Sequence, residues 1–277
     1  MKTKSASRLL RTGVRLLLLG ATLRGLLPGG PAPGPVGTPK ARAGVEQAVE
    51  TRATVIYVYD GDTVKVRLES GEEKRVRLIG VDTPEYDDPK EEGRLQAFLA
   101  KRFATVRLSR KDVRLTFDRE TVDAFGRMLA YVWVDELTMF NEILIREGFG
   151  RAYLKFPFDE ALKKRFAELE AEARKEGRGI WHKGPLPETQ ATAVESSLGS
   201  VVAVRFICSR TFEHRRFKVL VPSEGRFEIL IPESALALLP GQLDYAGRTL
   251  LVTGLVEDYQ GQSQILIGVP LQLEIVE

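Results

Sequence analysis

The chain has 277 residues, a formal net charge of +3 and a single cysteine. This length is too great for one small core and suits two modest domains with a leader. The lone Cys208 excludes an internal disulfide framework and a cysteine-rich metal site. The basic excess lies in residues 1–50, whereas the segment from residue 184 onward is acidic. Bulk charge therefore does not by itself indicate a polyanionic partner.

Basic residues followed by a short apolar run indicate a targeting segment in residues 1–50. The uncharged run 16–23 is much shorter than the roughly 20 apolar residues of a membrane span, so it favours a signal peptide over an anchor. We therefore expect a secreted or cell-envelope protein, with membrane contact only through an uncleaved leader. A disordered basic leader, or a start codon placed too early, is the alternative. The Pro/Gly-rich stretch 28–39 separates the leader from the fold.

From residue 54 onward the pattern indicates β-strands. TVIYVYDGDTVKVRL and EEKRVRLIGV are rich in β-branched residues, and Ser70-Gly71 between them is a hairpin signal. VRLTFD and MLAYVWV predict a further strand pair around a polar loop. A small curled antiparallel sheet follows from these runs.

Three helices are predicted beside this sheet. The first follows Pro89 and carries an apolar stripe, Leu95, Phe98, Leu99, Phe103 and Val106. The second is short, with Thr138 as its cap and Gly148 at its end. The third begins after Asp159 and ends at Gly177. The predicted fold class of this region is α+β.

Two acidic motifs lie at strand ends that a curled sheet can bring together. Asp62 in DGDTV and Asp82 in VDTPE would offer hard oxygen ligands to Ca²⁺, completed by the Thr83 carbonyl and water. The sequence has no His or Cys cluster that would favour zinc. The pattern therefore predicts a calcium site.

Three charged residues extend this site toward phosphoryl chemistry. Glu85 lies three residues after Asp82, where it could act as a general base on a water molecule. Arg77 and Arg127 could clamp a phosphate, because guanidinium groups match phosphate oxygens bidentately. On spacing alone, an ordinary turn with salt bridges is the favoured interpretation of the same residues, and the catalytic interpretation stays open.

The motifs DGDTV, R-x-x-x-x-VDTPE, DAFGRMLAY, NEILIREGFGRAY and GIW resemble, in this order, the staphylococcal-nuclease-like (thermonuclease) family over residues 51–183. The resemblance implies an OB-type antiparallel β-barrel with three helices. It also implies an endonuclease that cleaves DNA and RNA with Ca²⁺, with the 5′ oxygen as leaving group. Carried over residue by residue, the resemblance implies that the calcium ligands are Asp62, Asp82 and Thr83. It implies that Arg77 and Arg127 clamp the phosphate and that Glu85 is the general base.

Two further positions are implied to contact substrate. Tyr153 matches a tyrosine that contacts the substrate phosphate, although an ordinary half-buried tyrosine is the alternative. Lys155 stands where relatives often carry another tyrosine, and a lysine could still hold a phosphate. Phe125 likewise replaces a familiar tyrosine.

The remaining chain is predicted to form a linker at 184–196 and a mainly β domain at 197–277. Its short strands suggest a second OB-like barrel, and TLLVTGLVEDYQGQSQILI weakly resembles the closing hairpin of nucleic-acid-binding OB folds. A basic and aromatic face could give a second contact with nucleic acid, and a contact with protein is the alternative. The face would comprise Arg205, Arg210, Arg215, Arg216, Lys218, Phe212, Phe217 and Tyr259.

Three functions are consistent with these patterns. The first is an exported calcium-dependent nuclease that acts on DNA, RNA or both. The second is a catalytically silent nucleic-acid or protein-binding module of the same fold. The third is a phosphodiesterase that acts on smaller or lipid-linked substrates. All six matched positions carry the residues of the active pattern, which favours an enzyme.

Overall fold

A computed structural model describes residues 50–239 and 244–276. These residues belong to one compact unit, Gln47–Glu277. The predicted leader and its Pro/Gly-rich stretch lie outside the described residues, so export stays a prediction. None of the helices in the two described ranges is long and apolar enough to cross a membrane.

The first half of the fold contains a closed barrel. This half of the fold has seven strands: β1 (Glu50–Val58), β2 (Thr63–Leu68), β3 (Glu73–Leu78), β4 (Val81–Asp82), β5 (Asp112–Thr116), β6 (Met128–Trp133) and β7 (Arg151–Ala152). Five of them close in the order β1-β2-β3-β6-β5, while β4 pairs with β7. The β3–β6 pair is parallel, so the predicted antiparallel barrel contains one parallel pair. The barrel interior is filled by β-branched and aliphatic side chains, including Val55, Val64, Val66, Val76 and Leu115.

Three helices accompany this barrel, as predicted: α1 (Glu91–Leu108), α2 (Phe140–Arg146) and α3 (Glu160–Glu176). Asp159 caps α3 by accepting a hydrogen bond from the Leu162 amide at 2.9 Å, and Gly177 ends it with φ 63°. Two details of the prediction were wrong. Thr138 does not cap α2, which starts after Met139, and Val106 of the α1 stripe is exposed because small alanines complete the buried face of that helix.

The second half forms another barrel-like sheet, so the predicted α+β class with two barrels is confirmed. Its elements are β8 (Glu188–Thr189), β9 (Val201–His214), β10 (Phe217–Pro222), β11 (Phe227–Pro232), α4 (Glu233–Leu236), β12 (Thr249–Tyr259), β13 (Gln262–Leu266) and β14 (Leu273–Val276). The strand order is β14-β12-β13-β11-β10-β9-β8, and an additional β12–β9 pairing closes the sheet. The β11–β13 pair is parallel.

The predicted linker 184–196 contributes to this second sheet. Glu188 and Thr189 pair with Ala203 and Val204 of β9, and Val194 is fully buried in the second core. The predicted limits of the individual domains stay a prediction.

Helix α1 of the first half packs against the second barrel. Arg102 donates two hydrogen bonds to the Glu257 carboxylate, at 2.8 and 2.6 Å, and Glu257 is only 3% exposed. A Cβ on Gly268 would lie 1.9 Å from the Phe98 ring, so glycine lets the backbone of the second barrel approach this ring. Leu255 of β12 also joins the apolar core of the first barrel. One buried ion pair and continuous apolar packing therefore connect the two barrels.

We expect Arg102→Ala to lower the free energy of unfolding by roughly 3–5 kcal/mol, because it leaves the buried Glu257 carboxylate without a partner. The double variant Arg102→Met/Glu257→Leu should lose much less, since no charge then remains buried. Chemical denaturation of the full chain measures both. Arg67→Ala, which removes an exposed pair with Glu73, should cost under about 1 kcal/mol and serves as the control. Equal losses for Arg102→Ala and the double variant would contradict this account.

Candidate nucleic-acid cleavage site

A glycine brings the first acidic motif against the second. A Cβ on Gly61 would lie 2.6 Å from the Thr83 Cγ2 and 2.9 Å from the Ala100 Cβ. The residue before Asp62 therefore has to be glycine for the two chain segments to meet without a shift. This contact places the start of β2 beside the end of β4.

The Asp62 carboxylate is fully buried and fully hydrogen-bonded. Its Oδ1 accepts from the Arg77 Nη1 and from the Thr63 hydroxyl at 3.1 Å. Its Oδ2 accepts from the Thr83 amide at 2.7 Å and the Thr83 hydroxyl at 2.9 Å. A carboxylate offers about four lone-pair sites, so these four donors satisfy it.

Arg77 connects the two predicted carboxylate ligands. Besides Asp62, its Nη2 donates to the Asp82 Oδ1 and to the Val81 carbonyl, both at 3.1 Å. The Arg77 side chain is 15% exposed, whereas that of Asp82 is 44% exposed. The structure thus brings Arg77 and Thr83 against Asp62 and Asp82. We call the four carboxylates Asp60, Asp62, Asp82 and Glu85 the acidic cluster.

Two carboxylates of the acidic cluster, Asp60 and Glu85, have raised pKa values. Burial raises the pKa of Asp60, although a hydrogen bond with Thr63 and the charges of Arg77 and Arg127 oppose the rise. Partial burial also raises the pKa of Glu85, the Asp60 carboxylate adds to the rise, and Arg77 opposes it. Glu85 is exposed, so water can reach its carboxylate. A nearby cation would favour the charged form of both carboxylates and so oppose this rise of their pKa values.

Arg77 and Arg127 both line a cleft of about 480 Å³. Arg127 is held there by Asp123, which accepts hydrogen bonds from the Arg127 amide at 2.9 Å and from its Nε at 2.7 Å. Burial alone would raise the pKa of Asp123, but these bonds and one from the Phe125 amide bring it below its usual value. Within the described residues, the two terminal nitrogens of Arg127 make no hydrogen bond, so they are available to a ligand.

The predicted substrate contacts differ in position. Tyr153 lines the cleft, and its amide donates to the Gly80 carbonyl at 2.9 Å. Lys155 does not line the cleft; its Nζ lies 6.0 Å from the Tyr153 ring centroid. Phe125 is 85% exposed and its ring lies 5.4 Å from the Arg127 Cζ. Glu85 also lies outside the cleft lining, on the side of the acidic cluster.

Sequence reasoning missed three residues that support the site. Asp123 orients Arg127, as described above. The buried Asn141 accepts from the Val132 amide and donates to the Ile79 carbonyl, each at 2.9 Å, and so ties α2 to β6 and to the end of β3. Asp118 in the cleft accepts from the Tyr131 hydroxyl at 2.8 Å and the Asp159 amide at 2.9 Å. A polar residue inside an apolar helix was the one signal that could have identified Asn141.

The donor set at the acidic cluster fits a hard cation. One guanidinium already bridges Asp62 and Asp82, which shows that both carboxylates converge on a single positive charge. The described residues contain no group of three or more His, Cys, Asp and Glu side chains placed for one metal ion. A hard cation such as Ca²⁺ would be held by Asp82 and the Thr83 carbonyl, with water and substrate oxygens as further ligands, and by Asp62 where it displaces one of that carboxylate's four donors.

The basic face predicted on the second barrel is divided in the structure. Arg205 is paired with Glu188, and Lys218 lies with its Nζ 5.8 Å from the ring centroid of the buried Tyr245. Arg210 and Phe212 share the outer face of β9, with the Arg210 Cζ 5.2 Å from the ring. The residues expected together therefore do not form one free basic face, because Arg205 is paired with Glu188 and Lys218 lies beside a buried ring, whereas Arg210 and Phe212 remain on the outer face.

A closed five-stranded barrel with three helices, and a cleft where arginines face carboxylates, define an α+β barrel protein with a site suited to phosphate groups. Comparison with known proteins agrees. The model of the family described as staphylococcal nuclease homologue matches residues 75–183. The chain therefore belongs to the staphylococcal nuclease family.

Individual relatives support this membership. The thermonuclease of Staphylococcus hyicus is 37% identical over 143 residues, 52% of this chain and 83% of that protein. The thermonuclease of Staphylococcus intermedius is 39% identical over 126 residues, 46% of this chain and 73% of that protein. Endonuclease YncB of Bacillus subtilis is 32% identical over 149 residues, 53% of this chain and 68% of that protein. These matches cover about half of the present chain.

We expect Asp118→Asn to lower the melting temperature at pH 7. Asparagine has a single side-chain oxygen, which cannot accept all the hydrogen bonds that the Asp118 carboxylate receives. Burial alone would raise the pKa of Asp118, but hydrogen bonds from the Arg119 and Asp159 amides and the Tyr131 hydroxyl bring it below the usual value. The stabilisation is therefore present above the usual aspartate pKa and is lost as the pH falls through the lowered pKa. Thermal unfolding at several pH values should show that the difference in melting temperature between Asp118→Asn and wild type becomes smaller as the pH falls.

Asp258→Asn alters an exposed carboxylate and provides the control for this pH series. A difference between Asp118→Asn and wild type that grows as the pH falls would contradict the proposed role of Asp118.

Proposed function

We propose that this protein is a calcium-dependent phosphodiesterase that hydrolyses DNA, RNA or both as an endonuclease. The observation that carries the proposal is the placement of Arg77 between the acidic cluster and the cleft that Arg127 lines. Membership of the staphylococcal nuclease family supports the same reaction class.

Arg127 is proposed to hold the phosphate from the cleft side. Asp123 fixes its Nε, which leaves the terminal nitrogens free to donate to phosphate oxygens. Such donors stabilise the negative charge that grows on these oxygens in the transition state. Asp123 is thus a positioning residue for Arg127.

Arg77 is proposed to contact the same phosphate from the other side. Its Nη2 now donates to Asp82 and to the Val81 carbonyl. A cation held by Asp62, Asp82 and the Thr83 carbonyl would supply positive charge that polarises a phosphate oxygen. Arg77 could then exchange its bond with Asp82 for a phosphate oxygen and keep the buried bond with Asp62.

Glu85 is proposed to act as the general base. Its exposed carboxylate can take a proton from a water molecule as the water oxygen attacks phosphorus. The bond from phosphorus to the 5′ oxygen then breaks, and that oxygen takes a proton from solvent. The raised pKa of Glu85, caused first by burial and next by Asp60, makes it a stronger base than an ordinary glutamate.

Other functions would give different outcomes. A silent binding module would bind nucleic acid without cleaving it, whether or not a chelator is present. A phosphodiesterase for small substrates would cleave dinucleotide analogues but not polymers. The retained Glu85 and the terminal nitrogens of Arg127 favour an enzyme over the silent module, and the length of the substrates that are cleaved separates the two enzymes.

Two further expectations concern the rest of the chain. We propose a secreted or cell-envelope location, because the leader has a basic segment before a short apolar run. Sequencing the N-terminus of protein recovered outside the cell tests this proposal and shows whether the leader is cleaved.

We also propose that the second barrel makes an additional contact with nucleic acid, supported by Arg210 beside Phe212.

Glu85→Gln should lower kcat about 10²- to 10⁴-fold, because the general base is lost. Arg127→Ala should lower it about 10²- to 10³-fold, because a donor to the transition state is lost. Single-turnover cleavage of DNA and RNA measures both effects. Glu136→Gln and Arg226→Ala change exposed residues outside the site and should retain activity. Full activity in Glu85→Gln or Arg127→Ala would reject the assignment.

Asp82→Asn should raise the calcium concentration for half-maximal cleavage at least ~10-fold, because one charged ligand becomes neutral. Asp82 suits this test better than the buried Asp62, whose loss would also free Thr83 and Arg77. A calcium titration after chelator treatment gives the measurement. Cleavage by wild type that persists in excess chelator, or an unchanged calcium requirement in Asp82→Asn, would contradict the calcium site.

A further inference from the structure

Tyrosines lie on the opposite side of Arg77 from the cleft. Across the outer face of the first barrel, Arg77 of β3 pairs with Leu129 of β6, which lines the cleft. On its other side Arg77 pairs with Thr63 of β2, whose carbonyl accepts from the Tyr59 amide at 2.9 Å. A chain that crosses this face would therefore pass from the cleft over Arg77 to Tyr59.

The neighbouring row of the same sheet continues this surface. Tyr57 pairs with Lys65, and Lys65 pairs with Arg75. Alternate residues of a strand share a face, so Arg75 lies beside Arg77 at a distance of about 6–7 Å along β3. A bulge between Val55 and Tyr57 precedes this row, and Tyr57 turns out to solvent with 51% of its surface exposed.

Helix α1 and the loop after Glu85 complete the surface, which we call the tyrosine patch: Tyr57, Tyr59, Tyr86, Arg75 and Lys101. The Arg75 Cζ lies 4.2 Å from the Tyr59 ring centroid. The Lys101 Nζ lies 5.8 Å from the Tyr57 centroid and 5.5 Å from the Tyr86 centroid. The patch therefore interleaves aromatic rings with cations.

The exposure and charge of the tyrosine patch leave its groups accessible. Tyr86 is 39% exposed, and among the described residues neither Arg75 nor Lys101 forms a salt bridge. Burial raises the pKa of Tyr86 to about 12, although Arg102 opposes the rise, so its hydroxyl stays neutral and does not repel a phosphate. Cation–π contacts alone could explain the arrangement, yet they do not require the rings to remain in contact with solvent.

The chemistry of the patch matches one ligand class. Bases of a single strand stack on aromatic rings, which contributes about 1–3 kcal/mol per base, and Lys or Arg side chains pair with the phosphates between them. A duplex keeps its bases stacked internally and cannot use the rings in this way.

We propose that the tyrosine patch binds the single-stranded segment of a nucleic-acid substrate that lies beyond the scissile phosphate on the side opposite the cleft. This inference rests on the proposed nuclease function and assigns to it a second binding region. It implies that longer single strands bind more tightly than substrates that fill the cleft alone.

The test uses the full chain carrying Glu85→Gln, so that the oligonucleotide is not consumed. Fluorescence anisotropy measures Kd for a labelled 12-nucleotide single strand and, by competition, for a dinucleotide and for a duplex of the same length. Adding Tyr57→Ala/Tyr86→Ala should weaken 12-mer binding at least ~10-fold more than dinucleotide binding. Tyr57→Phe/Tyr86→Phe keeps both rings and should restore the affinity, whereas Leu137→Ala, which changes an exposed apolar residue outside the cleft and the tyrosine patch, is the control.

A second measurement isolates the cations. Arg75→Gln/Lys101→Gln should reduce the slope of log K against log salt concentration by about 0.7 for each lost phosphate contact with a single strand. Thermal unfolding of every variant checks that the fold is intact. An unchanged slope would overturn the role of these two cations.

The outcomes separate this proposal from the nuclease function. Equal loss of affinity for the 12-mer and the dinucleotide, no loss in the alanine variant, or equal affinity for duplex and single strand would overturn the tyrosine patch as a single-strand site. Failure of the wild-type chain to cleave any polymer would overturn the nuclease function instead. The affinity comparison would still decide whether the patch binds single strands.

Discussion

The four hydrogen bonds to the buried Asp62 carboxylate determine the arrangement of the site. They join the start of β2 to Arg77 on β3 and to Thr83 after β4. A buried carboxylate that lost these donors would be strongly unfavourable, so the three segments are held together. Gly61 makes the arrangement sterically accessible because any larger residue would meet Thr83. Arg77 also bonds to Asp82, so the position of Asp82 depends on the buried Asp62 carboxylate as well.

Burial acts to raise the pKa of four carboxylates near the site, but hydrogen bonds outweigh it in two of them. Asp118 and Asp123 receive enough hydrogen bonds to bring their pKa values below the usual range despite burial, so they act as fixed anchors for Tyr131 and Arg127. In Asp60 and Glu85 burial prevails and the pKa values rise. Asp118 and Asp123 therefore stabilise the fold at neutral pH, whereas Asp60 and Glu85 bind a proton more readily than ordinary carboxylates do.

Much of the fold could be predicted because its signals are local. The cap at Asp159, the left-handed Gly177 and the hairpin at Gly71 depend on neighbouring residues only. The closure of the second barrel through β12 and β9 depends on pairing across some fifty residues of chain and was expected only as a barrel. For the site, motif order selected Asp62 and Arg77 as candidates, but it could not show that Arg77 bonds to both carboxylates, because side-chain partners depend on three-dimensional approach. The tyrosine patch was missed for the same reason, since a bulge and α1 bring its residues together.

Helix α1 links the interface between the barrels to both sides of the site. Three consecutive residues point in different directions because each helical step turns about 100°. Ala100 packs at Gly61 beneath the acidic cluster, Lys101 reaches the tyrosine patch, and Arg102 pairs with Glu257 of the second barrel. Phe98, one turn earlier, lies against Gly268. A shift of α1 would therefore move the packing under Asp62 and the cation of the patch together. The second barrel, by fixing Arg102 and Phe98, restrains that shift and so contributes to the geometry of the site without contacting the cleft.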